Sequence, residues 1–484
     1  MASVSDRPCS LFDWQPQPEA ATLVGEIYTA FCDRSAAARQ LAARLLEQTG
    51  TRLSDWIDHF TVLNGDDWEL RLVSAGFVAV EQGPRTVWRH PGGRFPAIVV
   101  EDVGVRTEAG RSVAFRSAKE RGFRGAKGDK PTDMVVRVES VADFLVAQGI
   151  DQRTPIAGAP LGKLRQATVA IEGSTEIDVL ERHGDSGFEP SEPSPDEVHA
   201  VLGYGELFRR RQRAFDREED GFAQASALIR QAVEQLGKGR TCDLFFAAER
   251  EYWTLRNRAA RVQKARQDVL GLGWGNHDHH TYRSSRRHFH RLIAVLELLG
   301  LECRERFYAG QEAGWGAQVL EHPTSGVVVF ADVDMAPEEV VSDFVHQPLP
   351  EGERPGTVGL WCLLHGEACL EAGMHHLECQ FAFDAVARQL QACGVGLMSP
   401  FTDLPYLKQA FTAAENWPVA AGRLAAALAA GAITPVEAER FGRAGAIGSH
   451  LEVLQRDQGY RGFNQAGINE IIRQTDPRRP SAMQ

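Results

Sequence analysis

The chain has 484 residues, 43% apolar and 24% charged, which is too long for one ordinary domain and has ample material for a core. Its 53 basic and 65 acidic side chains give a net charge of -12, which speaks against a general nucleic-acid binder resting on phosphate contacts. No apolar run reaches the roughly 18–20 residues of a membrane span, the first residues lack signal-peptide order, and the eight cysteines include no C-x-x-C pair. Reduced thiols in a cytoplasmic protein are expected.

In chain order, residues 1–50 form an N-terminal helical segment, with apolar helical spacing over 19–49 and Gly50 as a C-cap. WIDHFTVLN then reads as a strand, DDWELRLVSAGF as a helix, and VAVEQ, TVWRH and FPAIVVEDV as further strands. The order returns as a strand and helix in MVVRVESVADFLVAQGI and two strands in ATVAIEGSTEIDVLERH, which completes a domain over 51–185. Residues 186–270 open with a Pro/Ser/Glu linker and continue as a charged helical insert. The basic run RRRQR at 209–213 is followed at once by DREED and reads as a solvated helix face.

From 271 to 484 the pattern restarts. HDHHTYRSS is a strand, RHFHRLIAVLELLGL a helix, and WGAQVLEH and GVVVFADVD strands; then come HHLECQF, the helix AFDAVARQLQACGV and closing strands near 447–456. VAAGRLAAALAAGAI, the most apolar stretch, reads as a buried helix. The predicted fold class is therefore α+β, with four tandem βαβββ-like modules in two half-barrel domains joined by the helical insert.

Strand parity points to chemistry. Side chains alternate faces along a strand, so His376, Glu378 and Gln380 share one face while Leu377, Cys379 and Phe381 pack the other. His279, Thr281 and Arg283 likewise share a face, and Glu452 sits opposite Leu451 and Val453. His279, His376 and Glu452, from three separate strands, make a two-histidine, one-carboxylate set suited to Fe(II) with open positions. Each of the three, taken alone, also suits a structural role. His277, His280, His288 and His290 are expected to be solvent-facing or capping residues, and His375 a packing neighbour.

The repeated units resemble the vicinal oxygen chelate superfamily. NHDHHTYRSSRRHFHRLIAVLELLGLECRERF, HHLECQFAFDAVARQLQACGVGLMSP and HLEVLQRDQGYRGFNQAGINEII resemble the two histidine modules and the glutamate strand of 4-hydroxyphenylpyruvate dioxygenase. HHTYR also resembles the 2-oxoadipate dioxygenase/decarboxylase family, which implies His279 as a ligand and Arg283 as a clamp on a substrate carboxylate. The likeness covers roughly residues 270–475, and 50–185 as architecture only.

It implies a non-haem Fe(II) dioxygenase that decarboxylates and hydroxylates a small 2-oxo acid with O2, without separate 2-oxoglutarate. Gln380, Asn464 and Gln465 are expected against the substrate, on the last two counts a polar one. RGFNQAGINEIIRQ at 461–474 is expected to close the cavity as a lid, and a homodimer is possible. In the first half His59 stands in the ligand-like place, but Leu63 replaces the arginine and Asp178 the glutamate; that half is expected to be a non-catalytic twin. Two alternatives stay open. One is extradiol cleavage of a catechol, with Tyr282 or His365 as base; the other is a metal-free small-molecule binder of the same fold.

Overall fold

The computed structural model describes residues 14–63, 67–82, 85–101, 131–151, 153–310, 313–402, 404–463 and 475–478. The helical stretch at 19–49 is two helices, α1 (Pro18–Cys32) and α2 (Ala36–Thr49). They break at Ser35, whose hydroxyl accepts the Ala38 backbone N–H as an N-cap, and α2 ends on Gly50 at φ 69°.

The first βαβββ unit is β1 (Ile57–Leu63), α3 (Trp68–Ser74), β2 (Val78–Gln82), β3 (Arg85–Arg89) and β4 (Ala97–Glu101). The second, one strand shorter among the described residues, is β5 (Pro131–Arg137), α4 (Val141–Ala147), β6 (Leu164–Glu172) and β7 (Thr175–Arg182). The insert supplies α5 (Pro195–Arg210), α6 (Glu218–Leu255) and α7 (Arg258–Asp268).

The third unit is β8 (His277–Arg283), α8 (Phe289–Leu298), β9 (Glu302–Tyr308), β10 (Trp315–Glu321) and β11 (Val328–Asp334). After α9 (Thr357–His365) comes the fourth: β12 (His376–Gln380), α10 (Phe383–Ala392), β13 (Leu407–Phe411), β14 (Glu415–Trp417), α11 (Ala421–Ala429), α12 (Pro435–Ala444) and β15 (Ala446–Arg456). The sequence pattern did not announce β9, whose charged ECRERFY lacks an apolar alternation.

Two mixed, open sheets result, ordered β2-β3-β4-β1-β5-β7-β6 and β9-β10-β11-β8-β12-β15-β13, with β14 added on β15. At each centre the same hydrogen-bonding scheme recurs. β4 runs parallel to β1, β1 antiparallel to β5 and β5 parallel to β7, just as β11 pairs β8, β8 pairs β12 and β12 pairs β15. This is the tandem-module, half-barrel architecture of the vicinal oxygen chelate fold.

The duplication extends to irregularities. In β1 the pairing with β5 skips Asp58, and in β8 the pairing with β12 skips Asp278, each just before a histidine. A bulge turns an extra side chain onto a face that strict alternation would deny it.

Helices cover one face of each sheet. Phe31, Leu45, Trp56, Phe60 and Val62 share the first core. The insert does not stand apart from the second sheet. Phe245, Phe246 and Trp253 of α6 share a core with Tyr282, Leu292 and Leu296. RRRQR is accordingly not one solvated face: Arg209 and Arg210 are exposed, but α5 ends there, and Arg211 and Arg213 turn inward onto buried Glu249. Their guanidinium groups offset the burial of Glu249 and hold its carboxyl down at about 2. The apolar stretch at 419–433 does form a helix, α11, but Ala427 is the one buried residue of that helix. It covers α9 from outside, which a helix rich in alanine does by close approach with few buried atoms.

Candidate metal centre

β8, β12 and β15 lie side by side, and their register sets His279, Glu378 and Glu452 in one row across the sheet. Thr281, His376 and His450 form the next row. The histidine Nε2 atoms and carboxylate oxygens converge from both rows. Glu378 Oε1 is 2.8 Å from His279 Nε2 and 2.7 Å from His376 Nε2, and His376 Nε2 is 3.6 Å from Glu452 Oε2. His279, Glu378 and Glu452 each offer a ligand atom within 4.8 Å of the other two. The structure thus brings the three sequence-predicted ligands together and adds Glu378. Parity had already put Glu378 on the face of His376; nothing in spacing alone marked it as a donor.

Burial sets the electrostatics. Desolvation, then the charge of Glu452, pushes the Glu378 carboxyl well up, and Glu452 is raised as well, chiefly by burial. Burial lowers His279 to about 4 and His376 far below its usual value, so both imidazoles are neutral. Two facing carboxylates, two neutral imidazoles and a partnerless Glu378 Oε2 make an unstable set by itself. A divalent first-row cation fits it. At metal–ligand distances of roughly 2.1 Å, neighbouring donors stand about 3 Å apart, against 2.7, 2.8 and 3.6 Å for the pairs that involve Glu378 Oε1 and His376 Nε2 here.

Support comes from behind. Asp278, turned inward by the bulge, holds His279 Nδ1 at 3.0 Å and so fixes Nε2 toward the cluster. Arg94 from the first half (3.0 Å) and Arg456 (3.3 Å) pair with Asp278 and hold its carboxyl down against burial. Gln380 Nε2 also donates to Asp278, at 3.1 Å. Contrary to the expectation from the sequence, Gln380 does not line the metal cavity: β12 pairs regularly with β15 through it, so it keeps the face of Glu378 but lies one alternation past the cluster, beside Asp278. On the β15 flank, Gln409 Nε2 donates to Glu452 Oε1 at 3.0 Å.

The cavity over the cluster is about 70 Å3. Arg283 lines it, one alternation beyond Thr281, and is 3% exposed. Its Nε and Nη1 make no hydrogen bond, and the Asp332 carboxylate stands 3.9 Å from Nε. Burial raises Asp332 to about 8 against the pull of Arg283, so this acid leaves much of the guanidinium charge uncompensated. The walls are Phe307, Trp315, Phe330, Phe401, Phe411 and Phe463, an apolar lining that the sequence reading, looking to Asn464 and Gln465, did not anticipate. Asn464, Gln465 and the lid helix lie outside the described residues.

The other histidines divide. His280 and His288 are buried, not solvent-facing: His280 packs on Phe246 at 4.8 Å, while His288 does take the N-cap position of α8, its side chain facing Glu367 at 3.3 Å and Glu219 at 3.4 Å. His277 hydrogen-bonds Trp274 O, and His277 and His290 are half-buried. His375, His376 and His450 also bring one nitrogen each within 4.8 Å of the others. However, His450 stacks on His376 at 27° and on Phe411 at 24°. Near-parallel rings do not aim in-plane lone pairs at one point, so these three do not make a second centre; His376 turns its Nε2 to Glu378 and Glu452, and neither His375 nor His450 lines the cavity. Tyr282 donates to Glu249 and His365 bonds Ile447 O, both outside the cavity.

The first half repeats the frame without the set. His59, Val135 and Asp178 form the row matching His279, Glu378 and Glu452. Asp58 holds His59 Nδ1 at 2.7 Å and Gln166 holds Asp178 at 2.8 Å, as Asp278 and Gln409 do in the second half. Valine removes the central donor, and Phe188 lies edge-on to His59 at 4.8 Å over Val87, Ala97 and Val99.

The sequence matches no family model and no curated protein. Among solved structures it is similar to a triple mutant of 4-hydroxymandelate synthase from Streptomyces coelicolor, at 12% identity and TM-score 0.26 over 87% of this chain and 96% of that one. It is similar to methylmalonyl-CoA epimerase from Mycobacterium tuberculosis at 14% identity and TM-score 0.20, over 38% and 88%. For the uncharacterized protein YdcJ from Shigella flexneri the figures are 12%, 0.24, 59% and 85%. Likeness of this strength carries nothing about activity, which has to come from the side chains. No helix among the described residues is long and apolar enough to cross a membrane.

Proposed function

We propose that the second half is the catalytic domain of an Fe(II)-dependent dioxygenase that takes a 2-oxo acid and O2 to a hydroxylated acid and CO2. The observation that carries this is the pairing of a His279, His376, Glu378 and Glu452 cluster with Arg283, a buried guanidinium that has unpartnered N–H groups in the same cavity. Bound there, Fe(II) supplies Lewis acidity toward the 2-oxo carboxylate and the electrons that activate O2.

The chain's own part is positional. His279, His376 and Glu452 hold the ion on one face, with Glu378 as a further donor. Arg283 orients a substrate carboxylate through its planar fork. The aromatic walls exclude water and seat an apolar body between the two polar ends. The two bases named for the extradiol reading, Tyr282 and His365, are engaged outside the cavity.

A panel of 2-oxo acids, assayed for oxygen uptake and CO2 release with Fe(II), tests the proposal. One acid should give equimolar O2 consumption and CO2. Tight metal binding with no turnover of any acid, or ring cleavage of a catechol, would overturn it.

A further inference from the structure

A second cavity, of about 420 Å3, lies between the two halves behind the metal centre. α1, β1 and Arg137 line it from the first half; Asn276, Gln380 and the 456–459 turn line it from the second. Arg52, Arg94, Arg137 and Arg456 all reach it. Three of these are engaged: Arg52 by Asp55 (2.9 Å) and Asp457 (2.5 Å), and Arg94 and Arg456 by Asp278.

Arg137 has no hydrogen bond or ion pair among the described residues. Asp58, on the same wall, is taken by Arg182 at 2.7 Å and by His59. Arg137 is half-buried and opens onto the cavity with its charge unmatched, and a guanidinium fork of this kind suits a carboxylate or another oxyanion. Trp56, Phe60 and Phe95 add apolar wall for a short carbon spine.

We propose that this inter-half cavity binds a small dianion, seated on Arg137 and sharing the N–H groups of Arg94 and Arg456 with Asp278. Both arginines support the Asp278–His279 contact, so occupancy is coupled to how firmly His279 is held. That coupling rests on the metal-centre reading; the binding itself does not. The shared ligand chemistry, two oxyanion charges within a few ångströms, belongs to dicarboxylates and to tetrahedral oxyanions alike.

The test is calorimetric titration of the metal-free full chain with succinate and, separately, with sulfate, at about 50 mM salt, where screening is weak. Three variants serve. Arg137→Met removes the seat. Gly25→Phe places a side chain at a lining position of α1 where an added Cβ meets nothing within 4 Å, and an unchanged unfolding midpoint checks that the fold is kept. Arg283→Met disables the other cavity.

Saturable 1:1 binding of either anion is expected, weakened at least about tenfold by Arg137→Met and by Gly25→Phe, and unchanged by Arg283→Met. Preference for succinate over sulfate, or the reverse, identifies which source of dianion the site takes. No binding of either anion, binding indifferent to Gly25→Phe, or binding lost in Arg283→Met would each overturn the proposal. None of these outcomes depends on dioxygenase turnover.

Discussion

At the scale of single residues, the centre is defined by charges that conflict until a cation joins them. Replacing any of His279, His376 or Glu452 by alanine should lower Fe(II) or Co(II) affinity at least about tenfold, as measured by competition with a chelating dye. Glu378→Gln separates ligand from neighbour. It should weaken metal binding, yet make the metal-free protein more stable at pH 8 by about 1–3 kcal/mol in denaturant unfolding. The sign follows from the raised Glu378 and Glu452 carboxyls. Between the ordinary carboxylate range and their raised folded values, the folded state binds more protons than the unfolded one, so their contribution to stability falls as pH rises. Neutralising one carboxylate removes that loss. Unaltered metal affinity in Glu378→Gln would leave Glu378 outside the ligand set.

Arg283→Ala should keep the metal while transition-state stabilisation falls by about 1.5–3 kcal/mol, read from kcat/KM. Arg283→Lys should recover only part of this, because a fork becomes a point charge. An alanine variant with unchanged kcat/KM would remove Arg283 from substrate binding.

At the scale of elements, strand parity carried the reading a long way. It was sufficient to place His279, His376 and Glu452 on inward faces, because apolar Leu377, Cys379, Leu451 and Val453 identify the packed side. It could not tell how far along the strand the cavity reaches, so Gln380, on the right face, falls past it; nor could it show the bulge at Asp278, a register event between two strands that leaves no mark in either strand alone. The same holds for Asp278 itself, which alternation would have turned away from His279. The aromatic walls were illegible for a related reason: Phe307, Phe330 and Phe411 come from β9, β11 and β13, and only the assembled sheet shows that they face one cavity. The bulge can be tested. Asp278→Asn should lower metal affinity about 10–100-fold by misorienting His279, whereas Asp58→Asn, at the matching bulge of the first half, should leave metal affinity untouched. Equal effects of the two substitutions would contradict the assignment of the centre to the second half.

At the scale of the whole molecule, α6 belongs to the core of the second sheet in spite of its charged, linker-like sequence. Trp253 illustrates this: it is 1% exposed and donates its indole N–H to Ser449 on β15 at 2.9 Å. Trp253→Ala should cost about 3–5 kcal/mol of stability, measured by denaturant unfolding, with the metal centre lost in the same transition. A centre that survived the loss of helical signal would show that the insert folds separately. The two halves are also tied across the chain. Arg94 donates its backbone N–H to Gly459 O at 2.9 Å and its guanidinium to Asp278, while Gly459, at φ 60°, leaves room for Phe95 where a Cβ would stand 2.0 Å from the ring. The half without a ligand set therefore completes the other's histidine support by reaching over with one arginine. If the chain were expressed as two pieces, divided within 186–194, full metal affinity would become a second-order property: dilute mixtures would hold the ion weakly, and reconstitution would appear only as the pieces are concentrated enough to associate.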